Sequence, residues 1–299
     1  MPCGKRQIEV QSMSEKALEK AWSDHSRLWE HNIWVYPVIS RRAGGLSIGI
    51  NLNLDKRCSF DCAYCQVDRT IPGKKQEVDI ARIEEEIETI IAAYEKNGLA
   101  DFSTFKDVEE EKREIKDISL SGDGESTTVK EFPEVCKLMR KMQDKYPNHP
   151  LKLTLITNAT MLGLPSVREG LKTLTEKRGE IWAKLDAGSS EWYKKINRSA
   201  VSLEKIQQNI ESAVKDFPLR IQTLFCKIKD EFPSEKEIEL YIARLKRIYE
   251  VSPKNLLGIQ LYGVVRHTAT PDVHPLEKSF LENVARKIQR EIPTEVDIY

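Results

Sequence analysis

The chain has 299 residues, 40% hydrophobic and 31% charged, with Lys+Arg and Asp+Glu each numbering 47. A formal net charge of zero offers no global basic field to attract nucleic acid, no run of about 18 apolar residues could cross a membrane, and the opening Met-Pro-Cys-Gly-Lys-Arg-Gln lacks the apolar core of a signal peptide. The expectation is a globular protein of the cytoplasm, where a reducing environment suits six cysteines of which three share one loop.

Between Ser14 and His31, Ala17, Leu18, Ala21, Trp22, Leu28 and Trp29 recur at helical spacing behind Ser14 as N-cap. Residues 1–34 are expected to form an N-terminal helical extension, and residues 35–299 a single barrel domain. The segment Val35 to Arg42 leads through Gly44-Gly45 into Ser47 to Leu54, which alternates as a strand does. After the cysteines, Ile80 to Asn97 puts Ile83, Ile87, Ile90, Ile91 and Tyr94 on one helical face and stops at Gly98. Strand Asp117 to Ser121 follows the charged run Lys106 to Lys116, itself expected to be a solvated surface.

Four further cycles are predicted. Helix Phe132 to Lys145 precedes strand Leu151 to Asn158, Ser166 to Thr175 precedes Ile181 to Asp186, Leu203 to Lys215 precedes Leu219 to Phe225, and Glu235 to Tyr249 precedes Leu257 to Tyr262. Helix Pro275 to Arg290 and an edge strand at Glu295 to Ile298 complete the chain. Strands alternating with helices imply right-handed crossovers and a parallel sheet. Six units are too few for an eight-stranded barrel.

The chemistry centres on Cys58-Ser59-Phe60-Asp61-Cys62-Ala63-Tyr64-Cys65, a C-x3-C-x2-C loop directly after the first of these strands. Three thiolates so close make a metal site. With a histidine such as His31 they would suit zinc; on their own they would leave one iron of a four-iron cube open to a non-protein ligand. Other polar residues gather at the C-terminal strand ends, where parallel barrels bind ligands: Gly122-Asp123-Gly124-Glu125, Thr157-Asn158, Lys184-Leu185-Asp186 and Arg266-His267. The two glycines allow close approach of a ligand and the acids can accept from a cation, although Gly-Asp-Gly-Glu also reads as an ordinary turn. Cys136 and Cys226 read as small buried hydrophobes, and no Ser/His arrangement suggests a hydrolytic triad.

The cysteine loop, with Tyr64 just before its third cysteine, resembles that of the radical S-adenosylmethionine (SAM) superfamily. Ser40-Arg41-Arg42, the Gly-x-Gly-Glu turn, Lys184-Leu185-Asp186-Ala187-Gly188, Ile196-Asn197-Arg198 and Val264-Val265-Arg266 resemble the branch related to the wyosine-forming tRNA enzymes, over residues 35–275. This resemblance implies an α/β fold, a partial (β/α)6 parallel barrel. It implies a [4Fe-4S] cluster on Cys58, Cys62 and Cys65 whose open iron chelates SAM, and reductive cleavage of SAM to a 5'-deoxyadenosyl radical that takes hydrogen from substrate. It further implies cofactor binding by Tyr64, Gly122, Asp123, Gly124, Glu125 and Asn158, with Asn158 toward the ribose, and catalytic roles for Lys184, Asp186 and Arg266. Asp123 stands where the family motif commonly has Gly, and Asn158 or Asp186 could instead cap the following helix. A flavodoxin- or ferredoxin-type donor would supply the electron.

Wyosine-forming enzymes condense pyruvate with N1-methylguanosine of tRNA and carry a second cluster on three further upstream cysteines, whereas here only Cys3 precedes Cys58. The expectation is therefore a single-cluster enzyme acting on an unassigned substrate, with Arg41, Arg42, Lys184 and Arg266 serving an anionic one. The alternatives are tRNA base modification and a non-catalytic cluster- or zinc-binding module.

Overall fold

The computed structural model describes Leu18, Ala21, Arg27 and residues 29–299. Strand β1 (Val35–Ser40) turns back into β2 (Gly45–Ile50), its antiparallel partner, with Val35 opposite Ile50. Helix α1 (Ile80–Asn97) and the single turn α2 (Glu110–Arg113) lead to β3 (Ile115–Leu120). Helix α3 (Phe132–Lys145) precedes β4 (Lys152–Thr157), α4 (Pro165–Thr175) precedes β5 (Gly179–Lys184), and α5 (Ser190–Ile196) with α6 (Leu203–Asp216) precedes β6 (Leu219–Phe225). After the short β7 (Lys227–Ile228), α7 (Glu235–Val251) leads to β8 (Leu256–Gly263). Strand β9 (Val273–His274) pairs with β7 in a separate ribbon, and α8 (Lys278–Glu291) leads to β10 (Val296–Ile298).

The main sheet runs β1-β2-β3-β4-β5-β6-β8-β10, and every pairing from β2 onward is parallel. Its edges, β1 and β10, do not pair with each other. The sheet nevertheless curls on itself, for Arg42 in the β1–β2 turn lies 4.9 Å from the ring centre of Tyr262 on β8. This is the expected partial (β/α)6 barrel, with β10 as an additional parallel strand.

A period of two explains the strands. Ile118, Leu120, Leu153, Leu155, Ile181, Ala183, Ile259 and Leu261 are fully buried, on the face that packs against the helices. α1 answers with buried Ile83, Ile87, Ile90 and Ile91, begins where the Asp79 side chain accepts from Arg82 N, and ends at Gly98 with φ 62. Alternate residues turn inward and are largely polar: Ser47, Asp117, Ser119, Trp182, Lys184, Gln222 and Tyr262 line one cavity. Beneath it the barrel is floored by ion pairs, Lys152 to Glu180 at 2.7 Å and Arg220 to Glu295 at 2.7 Å.

Three expectations are revised. The helix predicted from Ser14 to His31 lies mostly outside the described residues; Leu18 and Ala21 are helical, but Arg27 is not and has φ 50, so the helix does not continue to His31. Val35 to Ser40 is a strand that the sequence reading lacks, and Pro37 is tolerated there because β1 is a sheet edge. Strand β2 stops at Ile50 rather than Leu54; Asn51 N still donates to Trp34 O at 2.8 Å while its side chain bonds the turn after β3. β1 is anchored by the buried carboxylate of Glu86 on α1, which accepts from the backbone N–H groups of Ile33, Trp34 and Val35 at 2.9, 2.8 and 3.0 Å.

Candidate active site

The cysteine loop is held from several sides. Asp61 N donates to Asn197 O at 3.1 Å, Ala63 N to Ile196 O at 2.8 Å, and Ala269 N to Cys65 O at 2.8 Å. Phe60 is buried edge-on against Tyr193, ring centres 5.8 Å apart. Cys58, Cys62 and Cys65 remain partly exposed and open into a single cavity of about 290 Å³. Each sulfur also receives an N–H donor: Asn158 Nδ2 to Cys58 at 3.6 Å, Asn197 Nδ2 to Cys62 at 3.6 Å and Arg69 Nη1 to Cys65 at 3.1 Å. Burial, with the Asp186 carboxylate nearby, pushes the Cys62 thiol up to about 12, so a thiolate there needs a cation to hold it. Sulfurs met by N–H donors, and buried enough that a thiolate wants a cation beside it, fit an iron–sulfur cluster. The zinc alternative fits less well, since no histidine lines the cavity among the described residues and His31 is exposed outside it.

The Gly122 to Glu125 turn lines the same cavity, and its glycines also pack closely on a protein neighbour. A Cβ on Gly122 would run into the Asn51 amide, and one on Gly124 would meet the Arg57 carbonyl and lie 2.6 Å from Asn53 Cβ. The glycines let this turn pack onto the backbone leading to the cysteines. Asn51 completes the union, donating to Asp123 Oδ2 at 2.7 Å and accepting from Asp123 N at 3.0 Å. Asp123 also pairs with Arg27.

The carboxylate of Glu125 is occupied by the protein. It accepts from Thr127 Oγ1 at 2.5 Å, Thr157 Oγ1 at 2.7 Å and Asn158 N at 2.7 Å, and burial raises its pKa despite these bonds. Asn158 is likewise committed, donating to Ser59 Oγ at 2.9 Å and accepting from Thr160 N at 3.1 Å. Both residues brace the cysteine loop and the strand ends.

Asp186 does not line the cavity. It is buried at 1% exposure, with Oδ2 accepting from Tyr64 OH at 2.5 Å and Asn197 Nδ2 at 2.7 Å, and Oδ1 from Leu224 N at 2.9 Å. A carboxylate bonded in this way orients Tyr64 and Asn197. Lys184 does face the cavity, where its ammonium hydrogen-bonds Tyr262 OH and sits 3.8 Å from Asp186 and 4.9 Å from the Tyr64 ring centre. Burial pulls its pKa down, but Asp186, Tyr262 and Cys62 outweigh burial and the pKa is raised.

Arg41, Arg42 and Arg266 line the cavity wall, whereas His267 is exposed outside it. Cys136 and Cys226 are fully buried away from the cavity, and Cys3 lies outside the described residues. Arg69, Asn51, Asn53 and Asn197 were not anticipated as site residues. Their polar side chains beside the cysteine loop were the available signal, but only the folded chain shows what each one bonds.

The chain matches the family model described as Radical SAM superfamily over residues 52–231, more than half its length. It is 29% identical over 279 residues to the UPF0026 protein slr1464 of Synechocystis sp., covering 85% of this chain and 91% of that one. Its fold is shared with the structure of TYW1 with a lysine-pyruvate adduct bound, at TM-score 0.57 and 16% identity over 97% of this chain and 90% of that one. It is shared too with Streptococcus suis SuiB bound to precursor peptide SuiA, at TM-score 0.58 and 13% identity over 86% of this chain. The match covers 49% of SuiB, so the chain spans about half of that protein. With the family model falling on the cysteine loop and on the half-barrel that carries it, this chain belongs to the radical SAM superfamily of enzymes.

Proposed function

We propose that this enzyme binds a [4Fe-4S] cluster on Cys58, Cys62 and Cys65, cleaves SAM reductively, and directs the resulting radical at a substrate in the same cavity. When bound, the cluster would supply the one electron that splits SAM into methionine and a 5'-deoxyadenosyl radical able to take a hydrogen atom from substrate. The observation that carries this is that side-chain N–H donors of Asn158, Asn197 and Arg69 reach all three cysteine sulfurs.

The chain's own residues would do the remaining work. The backbone carbonyls of Gly122 and Gly124 would accept from the amino group of SAM, that of Asp123 being bonded by Arg69. Tyr64, held by Asp186, would form part of the wall beside the adenosyl group. Lys184 would serve as a cation facing the cavity, held by Tyr262 OH and close to Asp186. Only Cys136 and Cys226 stand outside the loop among the described residues, and both are fully buried, which favours one cluster. An electron donor of the flavodoxin or ferredoxin type completes the proposal.

The test is anaerobic incubation of the reconstituted protein with dithionite and SAM. Production of 5'-deoxyadenosine is expected. Four irons bound without any SAM cleavage would leave only a structural cluster protein and refute the assignment.

A further inference from the structure

Away from the cysteine loop, the cavity wall carries a concentration of positive charge where the edges of the sheet fail to meet. Arg41 and Arg42 come from the β1–β2 turn, and Arg266 from the segment after β8. The charges that bear most on Arg266 are Arg42, Arg41 and Arg27; burial, reinforced by their repulsion, brings it down to about 10. Arg41 is lowered as well, by burial and then by Arg42. Arg42 lies over two rings, its Cζ 4.9 Å from the centre of Tyr262 and 5.8 Å from that of Trp182. A guanidinium offers a planar fork of N–H donors suited to carboxylate or phosphate.

A second observation comes from the inner face. Gln222 lines the cavity, is fully buried, and donates through Nε2 to Gln260 Oε1 at 2.8 Å. Its own Oε1 has no hydrogen bond among the described residues. A buried acceptor left this way costs about 1–3 kcal/mol unless a ligand or water supplies a donor. Asp117, also on the cavity wall, adds a carboxylate held by Thr154 Oγ1 at 2.9 Å. The cavity is thus cationic at its open edge and accepting at its inner face.

We propose that the substrate is a small hydroxy or amino acid or phosphate ester whose anionic group is received by Arg41, Arg42 and Arg266 and whose donor group reaches Gln222 and Asp117. This rests on the SAM-cleaving assignment above. A small molecule is favoured over a nucleic-acid backbone because the arginines are partly buried within a cavity of about 290 Å³ and the chain as a whole has no net charge.

The test uses cluster-loaded protein with saturating SAM, so that the carboxylate of SAM does not compete, and titrates malate and glycerol 3-phosphate by calorimetry with glycerol as the neutral comparator. Saturable binding of at least one acid and none of glycerol is expected. Arg42→Gln and Arg266→Gln should each weaken that binding at least tenfold, Arg42→Lys less, and Gln222→Leu severalfold; melting curves of each variant report whether it folds. Malate alone would assign a carboxylate and glycerol 3-phosphate alone a phosphate. Binding of neither acid, binding undiminished in both arginine variants, or capture by these arginines of a short RNA but of no small acid would overturn the proposal. SAM cleavage without acid binding sinks this proposal alone, whereas acid binding without SAM cleavage sinks the assignment beneath it.

Discussion

Arg69 Nη1 donates to Cys65 Sγ at 3.1 Å, while its Nη2 reaches Asp123 O at 3.0 Å and its Nε reaches Lys56 O at 3.1 Å. One guanidinium therefore ties a cysteine of the loop to the glycine turn and places a positive charge on the sulfur. Hydrogen bonds to cluster sulfurs and local charge set reduction potentials, and each added donor favours the reduced state. Arg69→Gln should bind iron as well as the native protein but shift the midpoint potential to more negative values by on the order of 50 mV, roughly 1 kcal/mol for one electron. An EPR-monitored redox titration measures this, and an unchanged potential would remove Arg69 from any tuning role.

Cys58→Ala, Cys62→Ala and Cys65→Ala should each lose the brown chromophore, since two protein thiolates hold a cube poorly. Native protein should carry about four irons per chain. The triple variant Cys3→Ala, Cys136→Ala, Cys226→Ala should keep them all. Near eight irons in the native protein, halved in that variant, would establish a second cluster.

Gly124→Ala is expected to lose iron and SAM binding together. Its new methyl would meet the Arg57 carbonyl and Asn53, forcing the turn and the cysteine loop apart at a cost of roughly 1–3 kcal/mol. Retention of the cluster with loss of SAM affinity alone would instead place the glycine at the ligand.

Asp117→Asn should raise thermal stability at neutral pH. Burial raises the Asp117 pKa, so the folded state holds this proton more tightly than the unfolded chain does. The favourable contribution is present below the unfolded pKa and lost as pH rises through the folded one. The asparagine, which has no charge to bury, should melt higher than the native protein at pH 8, with the gap narrowing toward pH 4. An equal or larger gap at low pH would contradict this.

Most of the barrel was legible because its strands and helices alternate at their own periods, and strands β3, β4, β5, β6 and β8 begin and end within a few residues of expectation. Strand β1 was not, since Pro37 and the short Val35 to Ser40 run lack a strand's usual signal and owe their place to Glu86, 51 residues away along the chain from Val35. The cysteine ligand set follows from spacing. The duties of Glu125, Asn158 and Asp186 do not, because a polar residue at a strand end can face a ligand or a neighbouring loop, and only the positions of Thr157, Ser59 and Asn197 decide which. Asp186, expected at the ligand, is bonded by Tyr64 and Asn197 and does not line the cavity.

The Glu86 anchor has a consequence for how this protein divides. By pinning Ile33, Trp34 and Val35, it holds the stretch that carries Arg27 over the cavity, where Arg27 meets Asp123. A cut at residue 34 would pass through this anchor. A chain begun at Val35 would keep every strand of the barrel yet surrender part of the wall around its own cavity, and grafting this barrel elsewhere would require the preceding residues to travel with it.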